Sequence, residues 1–259
     1  MHNELFTIGP ITIYGYGLMI AIGVLAAYWN TERLAKKAGL DPEPVFNILM
    51  IGVGFGIIGA KLLFYITILD QIIANPALIT TYLTEGFVVY GGIIFGIVAA
   101  LLYCKKKNLT FFHYLDCAAP SIALAQGFGR IGCFLAGCCY GAPMDSPISI
   151  TFTNSAYAPN HIPLFPSQLV SSAFDFVHFF VLCALFKRNK TPGKIGAFYL
   201  VFYSIGRFII EFFRGDLERG NVGTLSTSQF ISVFVAIIGI TLVIFLTKKG
   251  LSQKNCVVK

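Results

Sequence analysis

Charged residues are scarce in this chain. Only 12% of its 259 residues are Asp, Glu, Lys or Arg, whereas soluble domains carry about 25%. With 56% hydrophobic residues and a mean hydropathy of +0.75, the composition excludes an ordinary soluble domain and predicts an integral membrane protein. The net charge of +7 is not read as a nucleic-acid signal, because the basic residues lie in short tracts between apolar runs.

Other signals are missing as well. The chain has no fixed-period repeat, no low-complexity linker and no second soluble domain, so a single membrane domain over residues 1–259 is expected. Its seven cysteines do not have the spacing of secreted disulfide domains. The first apolar segment follows no basic region and precedes no small-residue cleavage site, which favours a retained helix over a signal peptide.

Apolar runs long enough to span a membrane, at about 20 residues each, occur in seven places. They are Tyr14–Asn30, Val45–Leu69, Phe87–Cys104, Phe111–Leu135, Leu169–Phe186, Gly196–Phe213 and Ser228–Thr247. The sequence therefore predicts an all-α, polytopic membrane protein with about seven transmembrane helices.

The connections between these runs predict the orientation. Most of the 19 basic residues lie in four tracts: Arg33 to Lys37, Lys105–Lys107, Lys187 to Lys194, and Lys248 to Lys259. The alternate connections hold only Arg214 and Arg219. The positive-inside rule then places the N-terminus outside and the C-terminus in the cytoplasm.

Two outer connections are long enough to fold. Residues 136–166 are expected to form a small external cap with strand-like pieces such as Ile148–Thr153, because the connection is too long for a simple turn. The loop Asp70–Gly86 is expected to be external, with a short surface helix.

The chain is organised around Gln126–Gly141, an apolar, glycine-rich stretch that contains Arg130 and Gly132. A charge within a spanning segment costs roughly 2.5–3.5 kcal/mol or more, so it is usually functional and usually paired. The alternative to a functional site is that this stretch is only a glycine-rich packing face, from which Arg130 extends to a lipid headgroup.

A second charged group lies in the sixth run. Arg207, Glu211 and Arg214 are spaced i, i+4 and i+7, which predicts that they share one helix face. They form either a structural ion pair or an anion site, in which Glu211 holds Arg207 while a guanidinium edge meets a phosphate. Three arginines with one buried acid suit an anionic lipid headgroup.

Other candidates each have a structural alternative. Tyr16 and Tyr90 are interfacial aromatics or site residues, and the glycines Gly91–Gly92 admit either a ligand or a neighbouring backbone. Lys61 is either buried and paired or directed towards the membrane surface. Gln168 either caps the fifth helix or faces the site.

Three cysteines lie close together in sequence at Cys133, Cys138 and Cys139. Their C-x4-C-C spacing is not a standard zinc pattern, and no histidine lies close in sequence. The sequence does not favour a metal site, and no cofactor is expected.

Together these motifs resemble the prolipoprotein diacylglyceryl transferases of bacteria, over almost the whole chain. The resemblance rests on IGPITIYGYGLM (Ile8–Met19), EGFVVYGGIIFG (Glu85–Gly96), GRIGCFLAGCCYG (129–141), FPSQL (Phe165–Leu169) and GRFIIEFFR (Gly206–Arg214). The third resembles the family signature Gly-Arg-x-Gly-Asn-Phe-x-Asn-x-Glu. Their order and spacing are together highly specific.

The resemblance implies a reaction in the bacterial plasma membrane. Such enzymes move the diacylglyceryl group of phosphatidylglycerol, a membrane lipid, onto the lipobox cysteine at the signal peptide of a preprolipoprotein, and glycerol 1-phosphate leaves. It implies that Arg130 and Arg207 hold the phosphate and stabilise the transition state, that Glu211 orients Arg207, and that Tyr16 lines the headgroup site. Partners are thus lipid and signal peptide rather than nucleic acid.

The chain also departs from the family pattern. Tyr90 stands where the family has histidine, and tyrosine is a poor base at neutral pH. Cys133 and Ala136 replace the signature asparagines, Cys138 falls at the signature glutamate, and Lys61 replaces an arginine. A divergent member could keep the activity with another base, use a different acceptor, or have lost turnover. Outside this family, the alternative is a non-catalytic lipid-binding or anion-transport protein, although transporters often show inverted repeats that this chain lacks.

Overall fold

The computed structural model describes residues 4–8, 11–83, 85–215 and 220–257. Gly9 and Pro10 of the first motif, Arg219 of an outer connection and Lys259 of the last basic tract lie outside the described residues. The chain divides into two compact units: a first unit, Met1–Leu34 with Leu115–Lys259, and a second unit, Ala35–Tyr114.

The elements follow one another in a simple order along the described residues. They are β1 (Glu4–Ile8), β2 (Ile11–Tyr14), α1 (Gly15–Lys37), α2 (Glu43–Thr67), α3 (Leu69–Ala74), α4 (Leu78–Thr81), α5 (Val89–Lys106), α6 (Phe111–Ala136), β3 (Ile150–Thr151), β4 (Pro163–Leu164), α7 (Ser167–Arg188), α8 (Lys194–Glu211), β5 (Asn221–Val222), β6 (Leu225–Ser226) and α9 (Thr227–Val257). The strands form three separate antiparallel pairs, β1–β2, β3–β4 and β5–β6.

Each apolar run that the sequence predicts to span the membrane coincides with a long helix. A helix satisfies its own backbone hydrogen bonds, which lipid cannot do for it. Four helices, α2, α5, α7 and residues 227–249 of α9, are long and apolar enough to cross a membrane by length and composition. The expectation of an all-α integral membrane protein is therefore confirmed.

Close helix packing dominates the second unit. Helices α2 and α5 meet through glycines: a Cβ on Gly92 would lie 3.1 Å from the Gly56 carbonyl oxygen, and one on Gly91 would overlap the Gly59 carbonyl. Small residues allow such close backbone approach between membrane helices. Between them, α3 and α4 form two short helices where the sequence predicts one.

In the first unit, α7 packs on α8 and α8 packs on α9. The buried carboxylate of Asp116 in α6 accepts hydrogen bonds from the backbone N–H groups of Gly193 (2.7 Å) and Gly196 (2.9 Å). A carboxylate at a helix N-terminus satisfies unpaired N–H donors and complements the helix dipole. This contact fixes the start of α8, which carries Arg207 into the site.

The connection between α6 and α7 folds around a small apolar core. Phe152, Ala158 and Leu164 are buried there, with Phe134 and Tyr140 packed against them. Strand β3 lies within the predicted strand-like piece at residues 148–153. The beginning of this connection also bonds to the chain just after α8, so it is held against the end of that helix.

Candidate functional site

Helices α6, α7 and α8 of the first unit line a narrow, partly open cleft with an accessible volume of about 20 Å³, which is room for about one water molecule. Polar and charged side chains project into it from all three helices, and Phe174 and Ile210 complete its wall. The polar and charged residues are Gln126, Arg130, Ser171, Asp175, Tyr203 and Arg207. The cleft therefore brings together Arg130 and Arg207, which are far apart in sequence.

An ion pair holds Arg207. Its Nη1 lies 2.6 Å from Oε2 of Glu211, one helical turn later, and the two side chains are only 13% and 7% exposed. Its Nη2 donates to Ser228 Oγ (2.8 Å), and Ser226 Oγ donates to Glu211 Oε1 (3.0 Å). The predicted i, i+4 contact is thus observed, and two serines that the sequence analysis missed fix both partners.

Arg214 does not lie on this helix face, and that expectation was wrong. Helix α8 ends at Glu211, because the next three residues form i to i−3 hydrogen bonds that tighten the last turn. Arg214 then pairs with Gly141 as an antiparallel bridge. The charge of Arg214 acts on the Cys139 thiol.

Asp175 is a second buried acid beside the arginines, where the sequence analysis counted only one. Asp175 is only 6% exposed and lines the cleft. The charge of Arg130 acts on its carboxyl group. Within the described chain, Arg130 itself makes no ion pair at salt-bridge distance. Its guanidinium is therefore available to an anion in the cleft.

Helix α6 ends in a Schellman motif. Gly137 has a φ of +75°, its N–H bonds to the Phe134 carbonyl (3.1 Å), and the Cys138 N–H bonds to the Cys133 carbonyl (3.1 Å). This turn folds the chain back on the helix end, so the sulfur atoms of Cys133, Cys138 and Cys139 all lie within 4.8 Å of one another. We call these three residues the cysteine cluster.

The environment of the cluster is polar and positively charged. Hydrogen bonds with the Cys133 and Cys138 thiols, together with the charge of Arg214, hold the pKa of the Cys139 thiol below its ordinary value. All three residues are half-buried. Their sulfur atoms are therefore packed but not sealed from an incoming group.

The first turn of α7 holds the backbone of the cluster. Gln168, which is 2% exposed, donates from Nε2 to the Cys138 carbonyl (2.8 Å), and Ser167 Oγ donates to the Cys139 carbonyl (2.8 Å). Neither side chain forms a cap hydrogen bond to its own helix. Gln168 thus positions the turn after α6.

Tyr16 and Gly132 lie together where α1 meets α6. A Cβ on Gly132 would be 3.2 Å from both the ring and the backbone oxygen of Tyr16, so this glycine allows the close approach of the two helices. Tyr16 is 42% exposed, and the charges of Arg130 and the cysteine cluster act on its phenol.

The remaining predicted residues belong to the second unit. The Lys61 ammonium donates to the backbone carbonyls of Tyr82, Glu85 (2.6 Å) and Gly86 (3.4 Å), and lies 4.6 Å from the Phe87 ring centroid. Lys61 is therefore paired, which the sequence left open. Tyr90, near the start of α5, is 43% exposed, whereas Gly91 and Gly92 contact the α2 backbone as described above.

The cleft can bind an anion. Guanidinium groups form bidentate, charge-assisted hydrogen bonds with phosphate, and two of them line the same cleft. Because Glu211 and Ser228 fix Arg207, its N–H groups are already oriented before a ligand arrives. Such preorganised donors stabilise negative charge that develops during a reaction.

Comparison with known proteins is consistent with this chemistry. The sequence model described as prolipoprotein diacylglyceryl transferase matches residues 3–245. A phosphatidylglycerol–prolipoprotein diacylglyceryl transferase of Clostridium tetani (strain Massachusetts / E88) is 50% identical over 240 residues, covering 93% of this chain and 96% of that protein.

Two further relatives carry similar names. Phosphatidylglycerol–prolipoprotein diacylglyceryl transferase 2 of Clostridium perfringens (strain 13 / Type A) is 44% identical, covering 90% of each chain. The enzyme of Staphylococcus aureus (strain MSSA476) is 33% identical, covering 93% of this chain and 87% of that protein. With matches of this length and identity, the chain belongs to the prolipoprotein diacylglyceryl transferase family.

Proposed function

We propose that this protein transfers the diacylglyceryl group of phosphatidylglycerol to the lipobox cysteine thiol of a preprolipoprotein. The thiolate attacks the glyceryl carbon that bears the phosphate, a C–S bond forms, and the C–O bond breaks. Glycerol 1-phosphate leaves with the bonding electron pair. The observation that carries this proposal is the cleft in which Arg130 and Arg207 converge, with Glu211 buried against Arg207.

The two arginines bind the phosphate and stabilise the charge that develops on the leaving group. Arg207 is held by Glu211 and Ser228 on one side, so its remaining N–H donors serve the ligand. Arg130 reaches the same cavity from α6 without an ion-pair partner among the described residues. Loss of one such donor commonly lowers the rate by about 10²–10³-fold.

The acceptor thiol must lose its proton, because the thiolate is the nucleophile. Tyr90 stands at the position of the family histidine, and a protonated phenol is a poor base at neutral pH. Positive charge lowers the free energy of a nearby thiolate, so Arg130 and Arg207 favour ionisation of a thiol bound beside them. Tyr90 then contributes by binding rather than by proton abstraction.

The other candidate residues have supporting roles in this proposal. Tyr16, Gly132 and Cys138 lie around the end of α6, where they would meet the lipid headgroup or the signal peptide. Arg214 adds positive charge near Cys139, and Gln168 holds the turn between them. Lys61, Gly91 and Gly92 shape the second unit at the family's histidine segment.

We also propose the setting of the reaction. The enzyme crosses the bacterial plasma membrane about seven times, as one membrane domain with the N-terminus outside and the C-terminus in the cytoplasm. Residues 136–166 form the external cap, in agreement with the small core that Phe152 and Leu164 build in this connection. The basic tracts then face the cytoplasm.

Complementation tests the proposal in cells. In a strain depleted of its own diacylglyceryl transferase, this chain should restore growth and the lipid-modified form of lipoproteins, detected by mass spectrometry. The matched Arg130→Ala chain should insert to the same level and restore neither. Normal insertion of the unaltered chain with no lipid-modified lipoprotein contradicts the proposal and favours a different acceptor or a non-catalytic role.

A further inference from the structure

The cysteine cluster has no part in the phosphate cleft, yet it lies one helical turn from it. Cys133 follows Arg130 at i+3 on α6, so the two side chains are neighbours on the helix surface. The charge of Arg130 acts on Cys133. Any group bound by the three sulfurs is therefore next to the phosphate-binding arginine.

We propose that the cysteine cluster binds one zinc ion through Cys133, Cys138 and Cys139, and that the fourth zinc position accepts the acceptor thiol. The second part rests on the proposed function, whereas the zinc site itself does not. The ion class follows from the donor set, because thiolates select soft or borderline metals such as zinc.

The distances fit such a site. With a Zn–S bond of about 2.3 Å, the sulfurs of a tetrahedral site lie about 3.8 Å apart. The three sulfur atoms here already lie within 4.8 Å of one another. Small rotations about the side-chain bonds are enough to close the site around an ion.

The backbone is built to hold this arrangement. Cys139 has a φ of +59°, a left-handed conformation that is unusual for residues other than glycine, asparagine and aspartate. The carbonyls of Cys138 and Cys139 are each fixed by a side chain from α7 at 2.8 Å. Strained backbone persists where the surrounding structure over-determines it, and such sites cluster where function requires it.

The spacing in sequence hides the cluster. Standard zinc motifs combine two ligand pairs, with two to four residues between the cysteines of a pair. Cys133 and Cys138 have four residues between them, but no second pair follows, and the third cysteine is the next residue. Here the Schellman turn at Gly137 returns the chain to the end of α6. The three sulfurs meet because the helix stops, not because of a short loop between paired cysteines.

The surrounding charge favours the occupied site. Three thiolates outweigh the double charge of zinc, so the complex carries one net negative charge. The charge of Arg214 acts on Cys139 and that of Arg130 acts on Cys133, so the two arginines are placed to balance it. Positive side chains that repel a bare cation therefore stabilise the zinc–thiolate complex.

Three protein ligands leave zinc one open position. Among the described residues, the group that could hold an ion contains these three cysteines and no further His, Cys, Asp or Glu. Structural zinc sites are closed by four protein ligands, whereas catalytic sites have three and an exchangeable fourth ligand. The cluster matches the second pattern.

Zinc at the cluster adds to the effect of the two arginines on the acceptor thiol. A thiol that coordinates zinc gives up its proton to solvent and stays bound as a thiolate. That thiolate then attacks the glyceryl carbon, the phosphate leaves with the C–O electrons, and the thioether dissociates from zinc. No oxidant or reductant is needed, and the cluster cysteines are unchanged at the end.

Zinc content tests the site without any assay of turnover. The full chain is purified in detergent under anaerobic, reducing conditions, equilibrated with Zn²⁺, freed of excess metal and measured by elemental analysis. We expect about one zinc per chain. Cys138→Ser should weaken zinc binding by more than the roughly 10–100-fold that loss of an outer-shell partner costs, whereas Cys183→Ser in α7 should bind like the unaltered chain.

The proposal is overturned if the unaltered chain elutes as a single folded species and holds no zinc. It is also overturned if a Cys138→Ser variant binds zinc as tightly as the unaltered chain. The first outcome is measured on the unaltered chain. The proposal therefore stays testable even if the Cys138→Ser variant fails to insert.

A cobalt-substituted form tests the fourth position. Co²⁺ in the site should show sulfur-to-cobalt charge-transfer absorption, which should increase when a lipobox peptide with a cysteine is added and not when its serine analogue is added. Cobalt bound with no response to the cysteine peptide overturns the assignment of the fourth position.

Transfer measured on the same preparations separates the two proposals. We expect zinc-free protein to lose most transfer and to regain it when Zn²⁺ is restored. Full transfer by zinc-free protein overturns the role of zinc and leaves the proposed function intact. Zinc-loaded protein that binds the cysteine peptide but forms no product with phosphatidylglycerol overturns the proposed function and leaves the metal site intact.

Discussion

Replacement of Glu211 by glutamine is the most informative change to the cleft. Glutamine keeps the shape of the side chain but removes the charge that lies 2.6 Å from Arg207 Nη1. Both side chains are nearly buried, at 13% and 7% exposure, so solvent screens the pair little. Breaking a buried pair by removing one partner destabilises a protein by about 3–5 kcal/mol.

Part of that loss is offset in this structure. Arg207 keeps its hydrogen bond to Ser228 (2.8 Å), so its guanidinium retains one neutral partner. A neutral hydrogen bond contributes about 0.5–1.5 kcal/mol, which leaves a net loss of roughly 2–4 kcal/mol. If the loss appears as misplacement of Arg207 in the transition state, kcat falls by about 10²–10³-fold.

Two matched variants grade this effect. Ser226→Ala removes the hydrogen bond to Glu211 Oε1 (3.0 Å) together with the bond that Ser226 Oγ accepts from the Gln229 N–H (3.2 Å) at the start of α9. It should lower kcat by about tenfold, because bonds to charged groups contribute about 1.5–3 kcal/mol, and thermal unfolding shows how much of the loss comes from the helix cap. Arg207→Lys keeps the charge but loses the planar fork that serves carboxylate and phosphate together. It should therefore be as impaired as Glu211→Gln.

The assay is transfer from phosphatidylglycerol to a lipobox peptide by purified protein in detergent. Thermal unfolding of each variant is followed in parallel, so that loss of activity is compared only between folded proteins. Wild-type kcat in a folded Glu211→Gln variant would falsify this account, because the ion pair would then only hold helix α8 in place.

Four further outcomes follow from the site. Arg130→Ala should lower transfer by about 10²–10³-fold, and full activity would make the glycine-rich stretch a packing face. Asp175→Asn should lower KM for phosphatidylglycerol severalfold, because it removes a buried acid that in its ionised form competes with phosphate for Arg130; an unchanged KM in steady-state assays would mean that this carboxyl does not oppose phosphate binding. Tyr90→Phe should reduce the rate modestly and Tyr90→His should keep or raise it, whereas a dead Tyr90→Phe variant would make the phenol a principal catalytic group. A cysteine introduced at Asn154 should react with a membrane-impermeant maleimide in intact cells, and labelling only after permeabilisation would reverse the predicted topology.

Local patterns in the sequence predicted much of the fold. The apolar run Val45–Leu69 corresponds closely to α2 (Glu43–Thr67). In lipid, a helix satisfies the hydrogen bonds of its own backbone, which an irregular segment cannot do. The Arg207–Glu211 contact was predicted for the same reason, since residues four apart meet on any helix. Four helices, α2, α5, α7 and residues 227–249 of α9, are long and apolar enough to cross a membrane, and each coincides with an apolar run of the sequence.

Tertiary contacts were not accessible in the same way. Asp175 is an isolated acid in an apolar run, and the arginine beside it belongs to another helix, so no local spacing pointed to it. A buried acid in a spanning segment is nevertheless a functional signal in its own right, and it was overlooked. Arg214 was misplaced because the sixth run gives no sign that the helix stops at Glu211.

The proximity of the three cysteine sulfurs was not predicted, for a different reason. Gly137 could have been recognised as a helix stop, yet only the resulting Schellman turn shows that Cys138 and Cys139 fold back on Cys133. Lys61 was likewise undecided until its carbonyl partners were seen. In each case the missing information is where a chain turns, which depends on packing around the turn.

The most direct test of the central claim is product formation by the purified protein. Phosphatidylglycerol and a lipobox peptide are supplied together, and the thioether peptide and glycerol 1-phosphate are both quantified over time. The account predicts that the two products accumulate in equal amounts, that a peptide with serine in place of the lipobox cysteine yields neither, and that Arg130→Ala yields almost none. Folded protein that forms no thioether peptide, or that releases glycerol 1-phosphate equally well without the peptide, would contradict it.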